Sequence, residues 1–406
     1  MRQRDTVWIT GVGTATPLGN TYEAVAAALL AGKSGIRALT RGDLATHPCR
    51  IGGPLGDLPV PPSFNAAEFG RLDRFDQLLL WCCASALADA GWWDRRGELR
   101  IGLVLGLGAE WLLTWEEDKL AGGDRINHPE QDRVSLVNRV RSRLGLVGPT
   151  ATVAAACASG NYALAQARRW LQRGWVDLCL AGACDLGVSP MALAGFGNLR
   201  ALSRRNDDPA GASRPFDRAR DGFVMGEGGA MFVLEPAARA RRRGARAYAA
   251  VAGVGASSDA FHMIIPSNDP EPAARALRAA RADAAVNPEQ VDYLNAHATS
   301  TPVGDRAEAR VLQMVLGEAI HRVAVSATKS MTGHLLSGAA AVEALACLAA
   351  MDRQAIPPTI NLDDPDPECA LCHVPHQARP QRVEVAVSNS FGFGGSNACL
   401  VLRRVA

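Results

Sequence analysis

Several segments of the chain carry side chains that could do chemistry. The first, TVAAACASGN at 152–161, is an apolar run that stops at Cys157, after which a helical pattern runs to Arg173 and closes at Gly174. A cysteine at such a strand-to-helix turn sits beside free N–H groups and the positive end of a helix dipole, which favour thiolate over thiol. Its small neighbours Ala156, Ala158, Ser159 and Gly160 leave room for a substrate. The same features suit a buried structural thiol, the commonest fate of a free cysteine. The second segment, NAHATSTP at 295–302, puts His297 directly after a strand pattern, where α/β proteins collect their sites. The third, TKSMTGH at 328–334, puts His334 after a glycine at the start of a long Ala-rich helix that also carries Glu343. The two histidines are too far apart in the chain for a local metal-ligand spacing. The last, NSFGFGGSN at 389–397, is a strand that breaks into a glycine turn, whose free N–H groups suit an oxyanion hole.

The elements that must position these groups alternate. Strand patterns lie at 5–12, 100–106, 176–185, 229–235, 247–254, 291–296, 323–327, 383–389 and 398–403. Helical patterns lie at 21–31, 74–90, 236–243, 270–285, 303–317 and 334–352. Alternation of this kind predicts an α/β layered fold with a covered sheet. The halves 1–245 and 246–406 each open with a strand that ends in Gly-Val-Gly, Gly11–Gly13 and Gly253–Gly255. No low-complexity linker separates them, so tight packing of the two halves is expected.

Composition excludes other classes. The 406 residues (42.9 kDa) suit two domains or two fused halves. With 43 basic and 41 acidic residues the net charge is +2, which argues against nucleic-acid binding through a basic field. A hydrophobic share of 48% with 21% charged residues is globular. No run reaches the roughly 18 apolar residues of a membrane span, and the opening residues lack a secretory pattern. The ten cysteines are therefore expected as reduced thiols in a cytoplasmic protein. Lysine is rare, at positions 33, 119 and 329 alone, so Lys329 beside a candidate histidine draws notice. Dinucleotide, Walker, HExxH and GxSxG motifs are absent. Cys369–His373 spells CxxCH but lies in an acidic, Pro-rich stretch; it reads as a packed loop rather than a haem attachment or a metal site with His376.

Together the motifs resemble the elongating β-ketoacyl-[acyl-carrier-protein] synthases. The resemblance rests on AACASGN at Cys157, SRPFDRARDGFVMGEGGAMFVLE at 213–235, NAHATSTPVGD at 295–305, TKSMTGHLLSGAAAVEAL at 328–345, PPTINLDDPDPEC at 357–369 and NSFGFGGSN at 389–397, in the family's order over nearly the whole chain. It implies the thiolase fold, two similar α/β halves in a five-layer αβαβα arrangement, and an acyltransferase that joins malonyl-carrier protein to a Cys-bound acyl chain. It implies Cys157 as nucleophile, and His297 and His334 as the pair at which the malonyl group loses CO₂. Lys329 and Glu343 would pair behind them, and the N–H groups of Cys157 and Phe393 would form the oxyanion hole. Thr299 and Thr301 would hold the pantetheine arm. No cofactor or metal is implied. The implied partners are acyl carrier protein and a second subunit, in a homodimer or a heterodimer with a ketosynthase-like chain. The alternative is a non-catalytic partner subunit, against which the Cys-His-His set argues.

The chain also departs from the family. Ala298 stands where glycine is usual, and Ser337 and Ala340 replace glycines. The stretch 106–147, expected to line the acyl pocket and a dimer interface, has Ala109 where relatives carry a bulkier residue. Trp111 and Trp115 follow and could refill the space. For docking of the carrier protein, Arg71, Arg74, Arg200, Arg204 and Arg205 are expected, with Ala67 and Gly70 at positions where basic residues are usual. These departures suggest a special acyl chain or partner.

Overall fold

The computed structural model describes residues 6–40, 44–123 and 135–405; part of the divergent stretch 106–147 therefore lies outside the described residues. A ten-stranded mixed sheet is built from β1 Val7–Ala15, β2 Ile101–Gly106, β3 Thr150–Val153, β4 Leu178–Leu186, β5 Glu227–Pro236, β6 Ala249–Ser258, β7 Tyr293–Asn295, β8 Ala324–Ser326, β9 Val385–Gly392 and β10 Ser396–Arg403. Its order is β3-β2-β4-β5-β1, then β6-β10-β9-β7-β8. Each half has its first strand at the centre, followed outward by its fifth, fourth, second and third. In each half the three outermost strands are parallel and the inner pairings antiparallel. The halves meet where β1 and β6 pair over two positions, Trp8 with Ala250 and Ile9 with Ala249.

Helices complete five layers. The helices α1 Arg74–Asp89 and α2 Leu136–Leu144 cover the outer face of the first half through Leu78, Leu79, Val140 and Leu144. The helices α3 Ser159–Gln172, α4 Glu271–Ala284, α5 Pro302–Leu316 and α6 Ala339–Arg353 follow in chain order. Of these, α4 and α5 cover the outer face of the second half through Leu277, Ala280 and Leu312. The remaining two, α3 and α6, lie between the halves, packed on Phe232 and Leu234 of one and Leu400 and Leu402 of the other. This is the five-layer thiolase arrangement. A helix between two sheets has no wet side. That explains the sequence of α6, AAAVEALACLAAMDR, in which every residue from Ala339 to Met351 is buried. Glu343 is the single carboxylate along that buried run.

The paired Gly-Val-Gly runs do not end their strands, as the sequence pattern suggested; they lie inside β1 and β6. Helix packing explains them. A Cβ at Gly13 would stand 1.9 Å from the carbonyl oxygen of Cys82 on α1, and one at Gly255 2.0 Å from that of Ala276 on α4. Both helices approach their strands too closely for any side chain there.

The long helix expected from residue 334 begins at Ala339 instead. Gly333 and Leu336 hold positive φ values of 70° and 49°, which no α-helix accommodates. His334 is extended, its N–H donating to Val224 O at 2.7 Å and its carbonyl accepting from Gly226 N at 2.9 Å. The CxxCH stretch is a packed edge of the sheet: His373 bridges to Val325 of β8, and its Nε2 lies 2.8 Å from Cys369 O.

Candidate active site

The reactive groups gather where elements from both halves end. Cys157 sits in the turn Ala156–Ala158 between β3 and α3, after Ala156 with φ 47°. His297 follows β7, and His334 comes from the extended stretch before α6. The His334 Nε2 atom is 3.0 Å from Cys157 Sγ. The two imidazoles stand edge to face, their centroids 5.5 Å apart. One donor atom from each of Cys157, His297 and His334 lies within 4.8 Å of the others, close enough for all three to converge on one small group. Phe223 packs at 5.2 Å on His334 and Phe391 at 6.1 Å on His297, walls that exclude water.

Behind the histidines is a buried polar layer. Lys329 Nζ forms an ion pair with Glu343 Oε1, donates to His297 O at 2.5 Å and reaches His297 Nδ1 at 3.3 Å. An ammonium only donates, so Nδ1 must accept and Nε2 must carry the ring proton. The His334 Nδ1 atom, by contrast, has no hydrogen-bond partner among the described residues. Glu308 accepts from the N–H groups of His297 (2.9 Å) and Ala298 (2.7 Å) and from Asn389 Nδ2 (2.6 Å). It clamps the His297 loop from α5, a role the motif reading missed. A signal was present: Glu308 falls on the buried face of an amphipathic helix, four positions before Leu312 and with Asp305 the only other charged residue there.

Burial dominates the electrostatics. It pushes the Cys157 thiol up to about 12, against the pull of Lys329 and of the Phe393 N–H. This overturns the expectation that the helix end favours thiolate at rest: removing the sulfur from water costs the charged form more than a helix terminus returns. Burial, with the nearby Lys329 charge, also holds His297 and His334 well below the ordinary imidazole value. Burial raises Glu343 and Glu308 to about 7, while Lys329 pulls both back.

A cavity of about 460 Å³ has Cys157 in its wall. Thr299 and Thr301 line it, their hydroxyl oxygens 3.0 Å apart. So do Ala109, Trp111, Phe196 and Ser337, with Phe393 against Phe196 at 6.3 Å. Trp111 and Trp115 do not refill the space at Ala109. They pack edge to face at 4.3 Å and are 43% and 49% exposed, Trp111 touching the cavity and Trp115 lying outside it. Of the expected docking residues, Arg200 stands at the cavity mouth. Arg71 and Arg204 are exposed and do not line it, Arg74 donates to Gly56 O, and Arg205 donates to Ala219 O.

A five-layer fold of two like halves, with a thiol and two imidazoles at their junction, defines the class: a thiolase-fold protein of the Cys-His-His type. The chain belongs to the β-ketoacyl synthase family, matching its N-terminal domain over residues 4–240 and its C-terminal domain over 248–363. It is 39% identical to 3-oxoacyl-[acyl-carrier-protein] synthase 2 of Synechocystis, over 99% of both chains. It is 40% identical to the protein of that name from Vibrio cholerae, over 98% of this chain and 99% of that one. Among solved structures it superposes on a β-ketoacyl synthase from Burkholderia phymatum with a TM-score of 0.89 at 33% identity, over 99% of this chain and 100% of that one. The ishigamide ketosynthase/chain length factor matches over the same shares, with a TM-score of 0.88 at 32% identity. A type II polyketide synthase ketosynthase solved with its acyl-carrier protein gives 0.87 at 28%, again over 99% and 100%. Among the described residues no helix is long and apolar enough to cross a membrane.

Proposed function

We propose that the protein is a β-ketoacyl-[acyl-carrier-protein] synthase, condensing a Cys157-bound acyl chain with a malonyl group in fatty-acid, specialised-lipid or polyketide assembly. The observation that carries this reading is the 3.0 Å contact of Cys157 Sγ with His334 Nε2, beside a His297 whose tautomer Lys329 dictates. In the first half-reaction Cys157 sulfur attacks the acyl thioester carbonyl and its proton passes to His334. The N–H groups of Cys157 and Phe393 hold the resulting oxyanion. The carrier thiolate leaves and takes the proton from His334.

In the second half-reaction the malonyl thioester enters, its pantetheine arm along Thr299 and Thr301. The bond to its carboxylate breaks, CO₂ departs, and the electron pair becomes an enolate. Nε2–H of His297 and of His334 stabilise the enolate oxygen. His334 can accept in the first step and donate in the second because no described residue holds its Nδ1 and locks its tautomer. The enolate carbon then attacks the acyl carbonyl, a carbon–carbon bond forms, the carbon–sulfur bond breaks, and Cys157 leaves as a thiolate that takes up one proton from solvent. Side chains and thioester substrates supply all of this chemistry, so no metal or organic cofactor enters.

The acidic carrier protein docks at Arg200 beside the cavity, with the more distant exposed arginines Arg71 and Arg204 adding to the field that draws it in. The open edge of β3 and the half-exposed Trp111–Trp115 pair support pairing with a second copy or a ketosynthase-like subunit. The ten free thiols suit the cytoplasm. Incubation with an acyl-carrier substrate should add the acyl mass to the Cys157 peptide, and malonyl-carrier should then release CO₂ and a β-ketoacyl product. No acyl mass at Cys157 overturns the reading.

A further inference from the structure

Asp185 closes β4 in complete burial, and among the described residues no lysine or arginine pairs with it. Its Oδ2 instead gathers neutral donors from separate parts of the chain: Ser337 Oγ at 2.8 Å, Ser337 N at 3.2 Å and Ala109 N at 3.3 Å. Leu186 N donates to Oδ1 at 3.0 Å. Ser337 is one of the residues that replace a family glycine, and it lines the cavity that holds Cys157. It is also the counterpart of Cys157 in the second half. Both lie in the short turn before a central helix, after a residue with positive φ, Ala156 at 47° and Leu336 at 49°. The opposing wall is pressed close: a Cβ at Gly108 would stand 3.0 Å from Ser337 Cβ. Ala109 is the residue before the helix Glu110–Leu120, where no side chain of its own caps the N-terminus, so the carboxylate of Asp185 supplies the acceptor from another strand.

We propose that Asp185 and Ser337 are positioning residues for acyl-chain selection, clasping the Gly108–Ala109 wall to the Leu336–Gly338 turn and so setting how deep a chain the cavity accepts. The hydroxymethyl of Ser337 occupies the floor that the small Ala109 leaves open, and Asp185 keeps the two walls from parting. The proposal rests on the reading of the cavity as the acyl site. If that reading fails, the wild type forms no acyl-Cys157 with any chain; if the clasp fails, acylation proceeds and only the length profile is insensitive to it.

The test is a length profile, kcat/KM over saturated acyl-carrier substrates from two to fourteen carbons or so, for wild type, Ser337→Gly, Ser337→Ala and Asp185→Asn, with melting temperature alongside. Ser337→Gly should move the preferred length upward, with the ratio of long to short chains rising by about fourfold for each methylene accommodated. Asp185→Asn should flatten the profile by loosening the wall, and Ser337→Ala should fall between wild type and Ser337→Gly. The proposal is overturned if all three variants keep the wild-type profile. It is equally overturned if they lose every chain length in the same proportion as they lose melting temperature, since the pair would then serve folding alone.

Discussion

His334 Nε2 stands 3.0 Å from Cys157 Sγ, and both groups are held neutral, the thiol raised to about 12 and the imidazole well below its usual value. The pair is thus a hydrogen-bonded thiol and imidazole at rest, and the ion pair forms only as the sulfur attacks. Alkylation of Cys157 by iodoacetamide should accordingly still be accelerating at about pH 9, where an ordinary thiol near 8.5 is already about three-quarters ionised. A plateau near neutrality would mean a resting thiolate.

Cys157→Ala and Cys157→Ser should lose acyl transfer and condensation while keeping the fold, because neither supplies a thiolate. Mass spectrometry of the acyl-enzyme and assay of the β-ketoacyl product check this. Normal condensation by the alanine variant sinks the assignment of the nucleophile.

Lys329→Ala removes both the partner of Glu343 and the donor to His297 Nδ1. Breaking so buried a pair should cost about 3–5 kcal/mol of stability. Decarboxylation of malonyl-carrier should fall more than acylation of Cys157, by about a hundredfold relative to it, since only that step needs the proton on His297 Nε2. Equal loss of both steps would reduce Lys329 to a part of the fold.

Arg200→Glu should raise KM for carrier-bound substrates and make the association rate less salt-sensitive, with kcat nearly unchanged. Arg74→Glu should matter less, because that guanidinium already serves the carbonyl of Gly56. Unchanged KM in Arg200→Glu, Arg204→Glu and Arg205→Glu would move the docking face elsewhere.

Ala109→Ile should narrow the accepted range toward short acyl groups. Each methylene excluded from contact forfeits ~0.8 kcal/mol, so loss of two shifts preference by about fifteenfold. Trp111 and Trp115 stay about half exposed and do not fill the space beside Ala109. A length profile identical to wild type would remove position 109 from the pocket wall.

Glu308 links stability to pH. Burial raises its folded value to about 7, so the folded state holds its proton above the range where the unfolded chain releases it. Its contribution is therefore fully present below the unfolded carboxylate value and lost as pH climbs toward 7, at up to about 1.4 kcal/mol per pH unit. Melting of wild type should fall more steeply than that of Glu308→Gln between about pH 4 and about pH 8, a window that contains both ionisations. Parallel curves would show that Glu308 is ionised throughout.

The local chemistry of the chain was legible without coordinates. Cys157 at the end of an apolar run, His297 after a strand and the glycine turn at Phe393 each follow from short-range rules of period, capping and turn formation. Glu343 announced itself as a carboxylate in an Ala-rich run, because a helix buried on every side can keep a charged group only beside a partner. Other features depended on approach distances that one chain position cannot encode. The Gly-Val-Gly runs proved to be landing sites for helices rather than strand ends. His334 left the helix because Leu336 adopts a left-handed conformation. The thiol's charge state reversed, since desolvation depends on what surrounds Cys157 from every side and outweighs the helix end that the sequence displays. Glu308 reaches back from the next helix to the His297 loop, and Asp185 meets both Ala109 of its own half and Ser337 of the other, a junction that only the packing of the two halves creates. Sequence determines the groups and their local backbone; burial and the meeting of separate elements, which are sums over the whole fold, decide their charges and partners.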